Sequence, residues 1–136
     1  MNTYQNALNL IGRVLIAALF LPAGITKLTN FAGTVGYFTS LGITAPSFMT
    51  GVVIAVEILG SIAILLGFRT ALASIGLAAF TLIASVIGHA YWAAPADQAF
   101  IAQLLFFKNI AVIGGLLVLA SVGSGKFGID NVRSTK

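Results

Sequence analysis

The sequence predicts an all-α integral membrane protein, a four-helix bundle with a short surface helix or loop between its first and second membrane helices. Four apolar runs are each long enough to cross a bilayer as a helix, at about 7–28, 48–67, 71–92 and 99–122. In addition, 59% of the residues are hydrophobic and only 7% are charged, whereas a soluble domain carries about 25% charged residues. The chain has too few charges to cover a surface in water, so lipid is its expected solvent.

A chain of 136 residues is expected to form one domain, here a single membrane domain over residues 1–136. The first run follows a polar start without lysine or arginine, unlike a signal peptide, so we interpret it as an uncleaved membrane helix. We expect Arg13, near the start of this run, to snorkel to the membrane interface. For Lys27, snorkelling and packing against another helix are equal alternatives, because its neighbours Ala23 and Gly24 are small.

Polar stretches separate the runs. Residues 30–47 carry several aromatic side chains, and they are expected to form the surface helix or loop, opened by Asn30 and closed by Gly42. The link at residues 67–70 is short, so the second and third runs are expected to be antiparallel neighbours. Residues 123–136 form a polar tail, which we expect to lie partly loose on the membrane surface.

The distribution of basic residues predicts the orientation of the chain. Four crossings place both termini on one side, and that side is expected to carry Arg13, Arg69, Lys126, Arg133 and Lys136. The opposite side is expected to carry Lys27, together with Asp97. Lysine and arginine concentrate in short cytoplasmic segments, so we predict that both termini and the tail are cytoplasmic.

Glu57, the only glutamate, lies inside the second run. A carboxylate within a bilayer costs about 2.5–3.5 kcal/mol on insertion scales, so it is expected to face the protein and to have a partner. Glu57 and Lys108 each lie about nine residues, roughly 14 Å, into runs that enter the membrane from the same side. This matching depth predicts an ion pair between Glu57 and Lys108.

Other polar residues are expected at similar depth, which predicts a buried polar cluster and a small pocket lined by Glu57, His89 and Lys108. Phe20 and Trp92 are its expected aromatic walls. The cluster consists of Lys27, Glu57, His89 and Lys108, with Gln103, Asn109 and Trp92 nearby. Two alternatives stay open. The ion pair can serve only to fix helix pairing, and His89 can be an interfacial filler beside the aromatic residues that follow it.

The residue content also limits the chemistry expected of this chain. It has no cysteine and one histidine, so we expect no iron–sulfur cluster and no haem held by two histidines of one chain. No spacing typical of a metal site is present, and no metal site is expected. The basic residues are scattered along the chain, so nucleic acid is not an expected partner.

Several segments resemble the DoxX family. LPAGITKL (21–28), VEILGSIAILLGF (56–68), IGHAYW (87–92) and FFKNIAVIGGLL (106–117) resemble its four membrane helices. The connector YFTSLGITAP (37–46) and the tail segment GSGKFGID (123–130) are also similar to it. The resemblance implies a small bacterial inner-membrane protein of four helices. The recurring polar positions of the family fall on Lys27, Glu57, His89, Trp92, Lys108 and Asn109.

The family takes its name from a subunit of a thiosulfate:quinone oxidoreductase, so the resemblance implies an accessory or non-catalytic component of a quinone-linked membrane redox system. In that case any electron chemistry needs a bound quinone, a flavin or a partner subunit, and the cofactor itself is not assigned. If a quinone binds, His89 or Lys108 can donate to its carbonyl and Glu57 can relay a proton. A redox partner subunit or a homodimer is the expected assembly. Catalysis by this chain alone is not expected, and no catalytic residue is assigned. The alternative is a membrane scaffold, or a carrier of a small or apolar solute, without a redox role.

Overall fold

The computed structural model describes residues 1–134, and these residues form six α-helices and one 3-10 turn, with no strand among them. The helices are α1 (Thr3–Thr29), α2 (Phe31–Ser40), α3 (Pro46–Leu66), α4 (Thr70–Gly88), α5 (Ala99–Val122) and α6 (Ile129–Ser134). Four helical segments are long and apolar enough to cross a membrane, namely α1, α3, α4 with the 3-10 turn, and α5. The predicted four-helix membrane bundle is therefore confirmed.

Two of the predicted helix limits differ from the structure. Helix α1 begins at Thr3 rather than near residue 7, because the side chain of Asn2 accepts a hydrogen bond from the backbone N–H of Gln5 and caps the helix. Helix α4 ends at Gly88 rather than near residue 92. The 3-10 turn Tyr91–Ala93 follows it, and this turn carries aromatic rings onto α5.

The predicted surface helix is present as α2. Its last residue is Ser40, and Gly42 follows with a positive φ of 74°, a conformation that glycine adopts at little cost. Asn30 precedes α2 as expected, but its side chain makes no capping hydrogen bond to this helix. Helix α2 packs against α3 and buries Phe38.

The helices pack in an order that differs from a closed ring. Helix α1 packs on α3, α3 on α4, and α4 on α5, whereas α1 and α5 touch only slightly. An apolar core lies where these pairs meet, and it consists of Phe20, Ile64, Leu77, Ala78, Leu116 and Leu119. Helix α5 is consequently the least enclosed of the membrane helices, and it buries only Leu116 and Leu119.

Small hydroxyl side chains fill the tight interface along α4. Thr81 donates to the backbone oxygen of Leu77 at 2.6 Å, and Ser85 donates to that of Thr81 at 2.7 Å. A hydroxyl that bonds within its own helix can be buried without a partner on another helix. Such residues therefore allow α4 to approach its neighbours closely.

The two ends of the bundle carry different segments of the chain, and we call them the terminal face and the loop face. The terminal face holds the chain start, the link between α3 and α4, and the segment after α5, which hydrogen-bonds to both. The loop face holds the connector after α2 and residues 89–98. Helix α1 is antiparallel to α3, because Arg13 contacts the end of α3 and Lys27 contacts its middle.

Candidate functional site

The carboxylate of Glu57 is paired with Lys27 of α1. Lys27 Nζ donates to both carboxylate oxygens of Glu57, at 3.0 and 2.9 Å. The side chain of Glu57 is 7% exposed and that of Lys27 is 28% exposed. It is the one ion pair found within residues 1–134. Glu57 thus has the oppositely charged partner that a buried carboxylate needs.

A close approach of α1 and α3 brings this pair together. Gly24 lies one helical turn before Lys27, and a methyl group on it would lie 2.7 Å from Ile58 Cγ1 and 3.1 Å from Glu57 Cβ. These distances are shorter than ordinary van der Waals contacts. Only glycine therefore allows the two helices to pack at this distance.

The predicted ion pair between Glu57 and Lys108 is wrong. The two residues lie at similar depth, but the face of α3 that carries Glu57 packs against α1, while α5 packs against α4. Lys108 is exposed on α5 and makes no hydrogen bond or ion pair with any residue that the structure describes. Depth along a helix axis did not determine which way each side chain points around that axis.

Asn109, the neighbour of Lys108, points toward the bundle. Its amide Nδ2 donates to the hydroxyl oxygen of Ser85 at 2.9 Å and so joins α5 to α4. Ser85 is fully buried. We therefore assign Asn109 a packing contact between two helices.

His89 follows the last residue of α4 and lines an open cleft at the loop face, with a cavity volume of about 590 Å³. The polar side chains of its wall come from Tyr37, His89, Asp97 and Gln98. Ile101 and Leu105 of α5 contribute apolar surface. Of the residues predicted to line a pocket, only His89 lies on this cleft. Phe20 is part of the packed core.

Trp92 belongs to a group of aromatic rings at the loop face. Its ring meets those of Tyr91 and Phe106 edge to face, with centroids 5.2 and 5.5 Å apart. Phe107 extends the group. Trp92 is 58% exposed, which suits an aromatic anchor between lipid and water. The rings also hold the 3-10 turn against α5.

Arg13 forms a second polar site that the sequence analysis missed. Its guanidinium is fully buried, not snorkelling, and it donates to the backbone oxygens of Ile64, Leu65 and Phe127 at 3.0–3.2 Å. The last carbonyls of a helix lack partners within that helix, so the end of α3 offers acceptors. Gly67 ends α3 with a φ of 67°, and a Cβ there would lie 2.6 Å from Arg13 Nη1.

Two asparagines on the same face of α1 extend this network to the segment after α5. Asn9 accepts from Arg13 Nε at 3.1 Å and donates to the backbone oxygen of Gly123 at 2.8 Å. Asn6 accepts from the backbone N–H of Lys126 at 2.7 Å. Spacings of three and four residues place Asn6, Asn9 and Arg13 on one side of a helix. This pattern in the sequence could have predicted the polar network.

The tail is docked rather than loose as far as residue 134. The carboxylate of Asp130 accepts from the backbone N–H groups of Arg69 and Thr70 and from the Thr70 hydroxyl, at 2.7–2.8 Å. Burial alone would raise the pKa of Asp130, but these hydrogen bonds and the charge of Arg133 outweigh burial and lower it. The carboxylate therefore caps α4 in its ionised form. Residues 135–136 of the predicted tail lie outside the described residues.

These features define a class of integral membrane protein: four membrane-spanning helices, a buried ion pair between the first two of them and a docked C-terminal segment. The family model described as DoxX matches residues 8–90, which is more than half of the chain. The chain belongs to the DoxX family, as the resemblance of its segments implied.

Curated relatives agree with this membership. The chain is 37% identical over 127 residues to "Inner membrane protein YqjF" of Escherichia coli (strain K12), covering 93% of this chain and 92% of that protein. It is 34% identical over 121 residues to "Inner membrane protein YphA" of the same organism, covering 89% and 86%. It is 35% identical over 78 residues to "Putative oxidoreductase CatD" of Bacillus subtilis (strain 168), covering 57% and 56%. No solved structure matches the chain.

The relatives and the four long helices together make this a multi-pass protein of the bacterial inner membrane. The lipid bilayer is accordingly its surroundings, which accounts for the many large apolar side chains exposed on the outside of the bundle.

Proposed function

We propose that the chain is an accessory, non-catalytic component of a quinone-linked redox system in the bacterial inner membrane. The similarity to "Putative oxidoreductase CatD" supports a redox association. The observation that carries the proposal is the cleft beside His89, because it joins polar groups at the membrane edge to an apolar wall. An amphiphile with a polar ring and an apolar body fits such a surface.

The cleft has the groups that a quinone requires. A quinone carbonyl accepts hydrogen bonds, and the imidazole of His89 or the hydroxyl of Tyr37 can donate one. Ile101 and Leu105 can contact the apolar part of the molecule. Within this proposal the chain binds and orients the quinone, and the electrons are exchanged with a partner subunit.

Within this proposal, three of the other predicted site residues have a structural role. Lys27 and Glu57 neutralise each other between α1 and α3, and Asn109 is engaged with Ser85. None of the three lines the cleft. A buried pair of this kind holds two helices in one register, while it adds little net stability.

We further propose that both termini are cytoplasmic. Arg69, Lys126 and Arg133 are exposed at the terminal face, and basic residues are concentrated on the cytoplasmic side of membrane proteins. The loop face, with the cleft beside His89, would then open to the outside of the cell membrane. A quinone would enter from the outer half of the bilayer.

The test is a binding titration of the purified protein in detergent with a short-chain ubiquinone, beside a melting curve for each variant. We expect His89→Ala to weaken binding by about 5- to 30-fold, the loss of one or two hydrogen bonds. The melting temperature should change little, because His89 is only partly buried. Gln103→Ala is the matched control, since Gln103 is exposed on α5 and does not line the cleft.

Failure of the wild-type protein to bind the quinone would overturn the proposal. The alternative would then be favoured, namely a membrane scaffold or a carrier of a small or apolar solute. Equal binding by wild type and His89→Ala would remove His89 from the site. A large fall in the melting temperature of His89→Ala would show that the imidazole belongs to the packed structure.

A further inference from the structure

The segment after α5 turns one side toward the bundle and the other side outward. On the inner side, Ser124 and Gly128 are buried, and the carboxylate of Asp130 caps α4. Arg13 donates to the backbone oxygen of Phe127 at 3.0 Å. The main chain of Phe127 is thereby held in place, while its side chain is 50% exposed. The outer side of the segment is therefore a preformed surface.

This outer side, together with the link between α3 and α4, combines exposed apolar and basic side chains. We call it the tail surface, and it consists of Phe68, Arg69, Lys126, Phe127, Val132 and Arg133, all of them exposed. It lies at the level where the membrane helices end, because two of its residues link α3 to α4 and the others follow α5. Apolar and basic side chains placed side by side at this level suit the boundary between acyl chains and lipid head groups.

The tail surface carries an excess of positive charge. Asp130 is the only acidic residue of the terminal face within residues 1–134, and its carboxylate accepts three hydrogen bonds at the start of α4. Its charge interacts with Arg133 and with the buried Arg13. The side chains of Arg69 and Lys126 make no hydrogen bond or ion pair among the described residues. An anion is therefore the ligand that complements this surface.

The aromatic ring of the link between α3 and α4 joins the two parts of the tail surface. The guanidinium carbon of Arg133 lies 5.5 Å from the centroid of the Phe68 ring, a distance at which a cation and an aromatic face attract each other. The basic and apolar groups are consequently held next to each other by the fold. A ligand that matches both has a charged head and an apolar body.

We propose that the tail surface binds anionic phospholipids, with Arg69 and Lys126 at their phosphate groups and Phe127 among the upper parts of their acyl chains. Lipid surrounds this membrane protein, so it reaches a surface at the ends of the membrane helices. Each lysine or arginine at the surface of an anionic leaflet adds to the attraction, which a zwitterionic lipid does not offer. A second copy of the chain does not fit, because two tail surfaces would bring like charges together. The inference does not rest on the proposed function, and its test involves no quinone.

The experiment measures which lipid lies next to the tail surface. Trp92, the only tryptophan, is at the loop face, so Trp92→Phe with Phe127→Trp moves the fluorescent reporter to the tail surface. The wild type, with Trp92 as its reporter, is the control. Both are placed in phosphatidylcholine nanodiscs that contain an equal minor share of brominated phosphatidylglycerol or brominated phosphatidylcholine. We expect the brominated phosphatidylglycerol to quench the reporter at position 127 more strongly, with a local enrichment of about 5-fold for each cation engaged. At Trp92 the two brominated lipids should quench equally.

Single charge changes in the same reporter protein complete the test. Lys126→Gln should lower the preference for phosphatidylglycerol by about 5-fold, and Arg69→Gln should lower it further. Lys108→Gln is the matched control, because it removes one positive charge from the middle of α5, and the preference should stay unchanged. High salt should weaken the preference, as it screens exposed charges.

Four results would overturn the inference. They are equal quenching by both lipids at position 127, the same preference for phosphatidylglycerol at Trp92, a preference that Lys126→Gln leaves unchanged, and no quenching by either lipid at position 127. The last result would show that protein, such as a second copy of the chain, covers the tail surface.

Discussion

At the scale of single residues, two cations of α1 are buried in different ways. Arg13 is enclosed completely and satisfies three backbone carbonyls and one asparagine. Lys27 meets one carboxylate, and part of its side chain remains exposed. The difference follows from their chemistry, because the planar guanidinium carries five donors in a fork, while an ammonium is a compact point charge. Lysine at position 13 could not reach all of these acceptors.

The pair between Lys27 and Glu57 predicts a pattern of stabilities. Glu57→Gln and Lys27→Met should each destabilise the protein. The first leaves the ammonium of Lys27 without a charged partner, and the second leaves the carboxylate of Glu57 unpaired. The loss should be below the ~3–5 kcal/mol of a fully buried pair, since Lys27 is 28% exposed. The double variant should recover much of it.

The measurement is a double-mutant cycle by thermal or denaturant unfolding in detergent. Lys108→Met serves as the matched control, because Lys108 is an exposed lysine of a membrane helix without an ion pair in the described chain. Its stability should stay near that of the wild type. Additive losses for the Lys27 and Glu57 changes would contradict a direct interaction.

At the scale of helices, the ends and contacts depend on residues far away in sequence. Helix α4 has no cap from its own N-cap residue, Arg69, which has a φ of 45°. Its N-terminal N–H groups bond instead to Asp130, 60 residues away along the chain. The end of α3 is likewise completed by Arg13 of α1. The segment after α5 thereby ties α1, α3 and α4 together at the terminal face.

The contact between α1 and α3 predicts a strong difference between two glycines of one helix. Gly24→Ala should destabilise the protein by about 1–3 kcal/mol, as overpacking of a tight contact does. The reason is that the added methyl group would lie 2.7 Å from Ile58 Cγ1. Gly12→Ala is the control, because a methyl group there meets nothing within 4 Å.

Unfolding curves of the two variants provide the comparison. Gly12→Ala should leave stability unchanged or raise it slightly, since alanine favours helix more than glycine does. The contact between Lys27 and Glu57 should weaken in Gly24→Ala and not in Gly12→Ala. The double-mutant cycle of Lys27 and Glu57, repeated in the Gly24→Ala background, should therefore give a smaller coupling energy. Equal stability of the two glycine variants would show that α1 and α3 are farther apart than in this structure.

At the scale of the whole molecule, the two ends of the bundle differ in character. The terminal face is closed by the docked segment and carries exposed basic residues. The loop face carries the open cleft beside His89 and the aromatic rings around Trp92. The proposed binding of a small molecule therefore belongs to the loop face.

The proposed orientation predicts the behaviour of reporter fusions. Green fluorescent protein, which fluoresces when folded in the cytoplasm, should be bright when fused after Lys136. Alkaline phosphatase, which needs the periplasm for activity, should be inactive there. The same two reporters inserted after Ala96, in the connector before α5, should give the opposite result. Phosphatase activity at the C-terminus would reverse the assignment of sides.

The number of membrane helices could be predicted from the sequence by itself, and so could a short surface helix or loop after the first of them. A long apolar run has to be helical in lipid because its backbone has no water to bond with, and this property belongs to the run alone. The limits of α3 and α5 were close for the same reason. The DoxX family was also identifiable from short segments, since their residues and order are properties of the sequence.

The tertiary structure alone decided which polar groups meet. Lys27, not Lys108, pairs with Glu57, because the partner depends on how each helix is rotated about its axis and on which helices pack together. Arg13 is buried because a helix end and a distant tail supply its acceptors. The position of a residue within its apolar run determines its depth in the membrane. The direction of its side chain around the helix axis depends instead on packing energies that sum over the whole bundle.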